Sequence, residues 1–143
     1  MSGDGVIRDE TGAQRLLGYV LDVGRGDGRA RCTLRVDDAH GNRHGKLHGG
    51  LAAVLLDNAM GATASLTVDP SGRQPFLTVS LSTHFLAPGE IGMRLTATGR
   101  VVGGGRSLVF VDGELVDEAG TLIATASGVF KRPRAAAPAP GSA

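Results

Sequence analysis

A chain of 143 residues is long enough to bury one hydrophobic core and too short for two comfortable ones. With 41% hydrophobic and 20% charged residues it has the composition of an ordinary folded protein, and a net charge of +1 with its arginines scattered among acids excludes a nucleic-acid-binding stripe. No apolar run reaches the roughly 18 residues that cross a bilayer, and "MSGDGVIRDE" lacks a signal-peptide pattern, so a cytoplasmic protein without a membrane or nucleic-acid partner is expected.

Residues 1–15 carry no clear pattern and are expected to be partly disordered, leaving one domain over 16–132. The segment "YVLDVGRGDGRARCTLRV" reads as two short strands around a Gly-rich turn, a hairpin in which the single cysteine, Cys32, is a half-buried structural thiol. From Gly50 to about Val68 an Ala- and Leu-rich, Pro-free run predicts a helix of roughly 27 Å. "DPSG" stops it. Period-two alternation then predicts four strands, "FLTVSLSTHF", "MRLTATGRVV", "RSLVFVDGELV" and "TLIATASGVF", joined tightly enough to form an antiparallel meander. The tail from Pro133 to 143 is Pro- and Ala-rich and expected to be disordered. Together these elements predict an α+β fold with one long helix packed on one sheet.

That helix is unusual. Large apolar side chains occupy most of its circumference, which predicts burial nearly all round. The remaining stripe is Ala53, Asp57, Gly61 and Ala64, a carboxylate among small residues where a second backbone, a subunit or a substrate can come close.

The loop "HGNRHGKLHGG" holds His40, His44 and His48, each followed by glycine. Four-residue spacing aligns histidines on a helix, but Gly41, Gly45 and Gly49 disfavour one by about 1 kcal/mol each relative to Ala. No cysteine lies nearby and Asp37 and Asp38 follow no metal-ligand spacing, so no metal site is expected and His40 and His44 read as exposed loop residues. The P-loop pattern is also absent, since no Lys-Ser/Thr follows the glycines. What remains is that "LHGG" opens the buried helix, whose first N–H groups lack internal partners and carry the positive end of its dipole. The Gly49 N–H is therefore either an oxyanion donor or part of a plain Gly-rich helix start. Asp57, two turns in, is either a general base or nucleophile with its pKa raised by burial, or one half of an ion pair with an arginine. Without a Gly-x-Ser-x-Gly elbow or a Cys/His pair, the available chemistry is activated water or a carboxylate nucleophile.

The stretches "NRHGKLHGGLAAVLLDNAMG", "LTVSLSTHFLAPGEIG" and "VVGGGRSLVFVDGELVDEAGTLIATASGVF" resemble the hotdog-fold acyl-CoA thioesterases of the phenylacetate-pathway (PaaI-type) subfamily, over about residues 16–132. The combination of Asn-x5-His-Gly-Gly with an Asp eight residues after the first Gly carries the resemblance. It implies a long helix wrapped by an antiparallel sheet, and an enzyme that hydrolyses an acyl-CoA to free acid and CoA. It implies Asp57 as base or nucleophile, Gly49 N–H on the thioester oxygen, His48 positioning the thioester and helix start, Asn42 orienting water or substrate, and Thr78 in the same site. The turn of residues 103–108, with Gly104, Gly105, Arg106, Ser107 and Leu108, is implied to contact coenzyme A, and Phe85 and Lys131 to line the tunnel. Sites of this family lie between two protomers, so a homodimer, often paired into a homotetramer, is implied. No metal or other cofactor is implied, coenzyme A being part of the substrate. Two alternatives remain on this scaffold. One is a hydratase or dehydratase of acyl thioesters, disfavoured because Asn42 stands where a loop acid belongs. The other is a non-catalytic acyl-CoA-binding module, for which some fifteen N-terminal residues make too short an output domain. The acyl group, aromatic or medium aliphatic, is left open.

Overall fold

A computed structural model describes residues 4–134. The elements run β1 (Val6–Ile7), α1 (Gly12–Leu17), β2 (Val20–Asp22), β3 (Arg31–Arg35), a 3-10 turn (Asp38–His40), α2 (Gly49–Leu66), β4 (Leu77–Phe85), β5 (Arg94–Gly104), β6 (Leu108–Val116) and β7 (Leu122–Lys131). The described strands form one antiparallel seven-stranded sheet in the order β1-β2-β3-β5-β6-β7-β4, and α2 lies along one face.

The β2–β3 hairpin is present as expected, but the four C-terminal strands are not a simple meander. Only β5, β6 and β7 pair in succession; β4 sits outside β7, and β5 pairs with β3. The link after β4 crosses the end of the sheet beneath the start of α2, with Leu47 N–H donating to Gly89 O at 2.7 Å and Gly92 N–H to Val36 O at 2.7 Å. Alternation fixes which face of a strand is apolar, not which strand lies beside it. In its slot, β5 places buried Leu95 and Ala97 opposite Leu34 and Cys32 in the core around α2.

The sheet admits the helix because its middle is bare. Gly99 and Gly113 are register partners on β5 and β6. A Cβ on Gly99 would stand 2.3 Å from Thr63 Oγ1 and 2.9 Å from Ala59 O, and one on Gly113 would stand 2.7 Å from Met60 Sδ. Thr63 hydroxyl donates to Ala59 O at 2.7 Å and accepts from Ala30 N–H at 3.0 Å, joining helix to hairpin. Around this seam Leu55, Leu56, Met60, Val111, Leu115 and Phe130 are fully buried.

The helix is not buried all round within one protomer. Leu51, Ala53, Val54, Asp57, Asn58 and Gly61 are half-buried, so of the small-residue stripe only Ala64 is closed over. The N-terminal segment contributes structure from Val6 onward. Thr11 Oγ1 caps α1 by accepting from Gln14 N–H, and the buried Gln14 amide donates to Ile7 O and Tyr19 O. The tail expected to be disordered lies outside the described residues apart from Pro133 and Arg134.

His40 corrects the reading of the histidine loop. It is 4% exposed, because the Asp37-capped 3-10 turn rotates its ring inward. Nδ1 accepts from Asp37 N–H at 2.9 Å, which leaves Nε2–H to donate to Leu17 O at 2.7 Å. His44 is exposed as expected.

Candidate active site

His48 is the N-cap of α2, its Nδ1 accepting from Gly50 N–H at 3.0 Å. Gly49 N–H, one residue earlier, has no acceptor among the described residues and points its positive end out of the helix. The Phe85 ring lies over Gly49, where a Cβ would meet Phe85 Cε1 at 3.3 Å. Asn42 Oδ1 accepts from His44 N–H at 2.9 Å and Lys46 N–H at 3.1 Å, shaping the loop that precedes the helix. A cleft of about 470 Å³ opens here, lined by Asn42, Lys46, Gly49, Phe85, Pro88 and Ile123 among others.

Asp57 belongs to a second cleft, of about 390 Å³, shared with Asn58, Gly61, Ser65, Phe76 and Thr78. Thr78 hydroxyl donates to Asp57 Oδ1 at 2.7 Å. A register shift between Thr78 and Ser80 leaves Val79 as an extra residue against β7, and such a bulge re-aims neighbouring side chains. The Asp57 carboxylate is half-buried rather than enclosed, and among the described residues no Lys, Arg or His nitrogen lies within 4.0 Å of it. Among the described residues of one protomer it therefore forms no ion pair with an arginine.

The turn read as a coenzyme A contact lies on the Asp57 side. Gly104 has φ 107°, and a Cβ there would stand 2.4 Å from Leu108 O, so this tight turn requires glycine. Gly105 N–H donates to Leu108 O, and Arg132 N–H to Ser107 O, both at 2.8 Å, while Arg106 is exposed. Lys131 is the register partner of both Leu108 and Leu77, which sets the turn two strands from the beginning of β4, at the same end of the sheet as Thr78.

The predicted residues thus fall into two groups: Asn42, His48, Gly49 and Phe85 at the start of α2, and Asp57, Thr78, Lys131 and the turn of residues 104–108 further along. Eight residues of helix separate Gly49 from Asp57, about 12 Å of rise. The sequence reading missed Asn58, which accepts from Tyr19 hydroxyl at 3.3 Å, and Ser65, whose buried Oγ has no hydrogen-bond partner among the described residues. Asp57, Gly61 and Ser65 stand four residues apart, a spacing that signals one helix face.

A single long helix cradled by an antiparallel sheet is the hotdog architecture. The chain belongs to the thioesterase superfamily, whose model matches residues 44–124, and it is a thioester hydrolase. Acyl-coenzyme A thioesterase 13 from Homo sapiens is 33% identical over 112 residues, 78% of each chain. Among solved structures, the E. coli PaaI protein of the phenylacetic acid degradation operon superposes with TM-score 0.77 at 26% identity, covering 87% of this chain and 86% of its own. A Streptococcus mutans protein bound to acetyl-CoA superposes with TM-score 0.65 at 27% identity, covering 74% and 82%.

Proposed function

We propose that the protein hydrolyses acyl thioesters of coenzyme A, and that each active site joins Asp57 of one protomer to Gly49 of another. The observation that carries the second part is the 12 Å separation along α2: an oxygen held about 3 Å from Gly49 N–H is out of reach of the same chain's Asp57. The acetyl-CoA on the Streptococcus mutans relative and the name of the human relative support the substrate class.

In this reading Gly49 N–H, aided by the helix dipole, stabilises the oxyanion that forms as the carbonyl is attacked, with His48 fixing the helix start behind it. Asp57, oriented by Thr78, takes a proton from water as the water oxygen bonds to the carbonyl carbon. The C–S bond then breaks, and the proton passes to the departing coenzyme A sulfur. The reaction balances with water and thioester alone, so no metal or other cofactor is assigned. Asn42 supplies its amide N–H groups to water or thioester, its oxygen being engaged with the backbone. That engagement also argues against Asn42 replacing the loop acid of a hydratase. Arg106 contacts a phosphate of coenzyme A, and Lys131 and Phe85 line the approach.

Strand β4 is the natural joint between protomers. It ends the sheet, and Leu77, Val79 and Phe85 on it are 57%, 58% and 60% exposed, a long apolar edge of the kind that pairs with another chain. A homodimer built there, able to pair again as a tetramer, and a cytoplasmic location complete the proposal.

The test is release of free thiol from aryl-acetyl, benzoyl and straight-chain acyl-CoAs, beside Asp57→Ala. Hydrolysis of one class, abolished in the variant, is expected. Binding of the thioesters without turnover would contradict the catalytic part.

A further inference from the structure

On the face of the sheet turned away from α2, Arg35 of β3 and Arg94 of β5 are direct register partners. Their neighbours Leu34 and Leu95 point into the core, so both arginines point outward, and both are exposed. Cα atoms of paired antiparallel residues are about 5 Å apart, and like charges placed so destabilise the sheet. Among the described residues neither guanidinium has a carboxylate within 4.0 Å. The carboxylate that comes near, Glu118, accepts from the Arg94 backbone N–H at 3.3 Å and not from its side chain.

The pair lies in a cleft of about 480 Å³ that also contains Arg8, Arg25, Asp22, Thr33 and Val20. Among the described residues Asp22 is the one acid lining it and is already engaged, with Arg25 Nε at 2.7 Å and Gly24 N–H at 2.9 Å. Thr33 hydroxyl, 3.3 Å from that of Thr96, adds a polar group to the floor. Four guanidinium groups against one committed carboxylate, on a chain whose net charge is +1, concentrate positive potential in a concavity of small-molecule size.

We propose that this cleft binds a soluble phosphorylated small molecule, its phosphate groups held by Arg35 and Arg94 with Arg8 at the rim. Guanidinium forks match phosphate oxygens in bidentate pairs, and a multiply charged anion between Arg35 and Arg94 replaces their repulsion with two attractions. The concave shape favours a free organic phosphate over an extended charged surface. The site is separate from the Asp57–Thr78 cleft, since α2 packs on the opposite face of the sheet. It is independent of the turn at Arg106.

The experiment uses sodium pyrophosphate as probe, with thermal unfolding and titration calorimetry at ionic strength matched by NaCl. Wild type and Arg106→Gln are expected to show a saturable heat and a rise in Tm of several degrees. The Arg35→Gln/Arg94→Gln double variant is expected to fold with an unchanged or higher Tm in NaCl and to lose both responses. No saturable binding in wild type, retention in the double variant, or loss in Arg106→Gln would overturn the proposal. So would a change in the double variant's mass by light scattering, which would assign the arginines to a contact between copies.

Discussion

Thr78 and Asp57 meet across the join between β4 and α2, the threonine hydroxyl donating to Asp57 Oδ1 at 2.7 Å. One carboxylate oxygen is thereby fixed in direction. The other has no partner among the described residues and faces the cleft. A hydrogen bond to a charged group contributes about 1.5–3 kcal/mol. Thr78→Val should therefore lower kcat by about 10- to 100-fold, with little change in KM, while Thr78→Ser should retain most of the activity. Steady-state kinetics on the best acyl-CoA check this, and equal losses in both variants would mean that the methyl group matters rather than the hydroxyl.

Asp57→Ala should reduce turnover by orders of magnitude and leave Tm almost unchanged, because the carboxylate is half-buried and holds no ion pair among the described residues. A large drop in Tm measured by calorimetry would show that the residue is chiefly structural.

The bare seam under α2 predicts a sharp stability effect at a position far from the chemistry. Gly99→Ala places a methyl group 2.3 Å from Thr63 Oγ1 and 2.9 Å from the Ala59 carbonyl, and overpacking of this kind costs about 1–3 kcal/mol or more. Denaturant unfolding should show the midpoint shifted with the slope preserved.

Two groups contribute to stability with opposite pH dependences. Burial pushes the Cys32 thiol up to about 12, whereas an unfolded cysteine ionises near about 8.5. The group's contribution is thus complete below the unfolded value and is lost as pH rises toward 12. At the acid end, the Arg31 guanidinium, then the Arg29 N–H, hold the exposed Asp27 carboxyl at about 2, so its contribution is present above about 4 and fades as pH falls through 2. Cys32→Ser should flatten the alkaline limb of a Tm-versus-pH curve, and a disulfide reagent at pH 8 should label wild-type Cys32 only at the rate of unfolding.

The helix and the strands were legible because their periods are written in side chains: the run from Gly49 to Leu66 has no Pro, and each strand alternates. Position in the sheet was not. "LTVSLSTHF" fixes the faces of β4 but not its place beside β7, which depends on the link crossing under α2. His40 and His48 look alike in sequence, each before a glycine; the Asp37-capped turn buries one, and the other caps the helix. Asp57 stood out as a carboxylate on an apolar helix, whereas Thr78 entered only through the family resemblance, since its contact spans 21 residues and depends on a bulge. The opposition of Arg35 and Arg94 required the β3–β5 register, which no local pattern encodes.

A site made of Asp57 from one chain and Gly49 from another can be rebuilt by complementation between two inactive variants. Gly49 is the first residue of α2 after the His48 cap, a position that accepts proline, and His48 at φ −62°, ψ 128° already has the extended backbone proline requires before it. Gly49→Pro removes the N–H and keeps the helix, with an expected loss of about 10²–10³ in kcat, while Gly49→Ala controls for the added carbon against Phe85. Asp57→Ala and Gly49→Pro chains are mixed, unfolded, refolded together and assayed. If sites are shared, each mixed dimer has one intact site, and random pairing restores about a quarter of wild-type activity. Activity no higher than that of the separate variants would contradict the shared site.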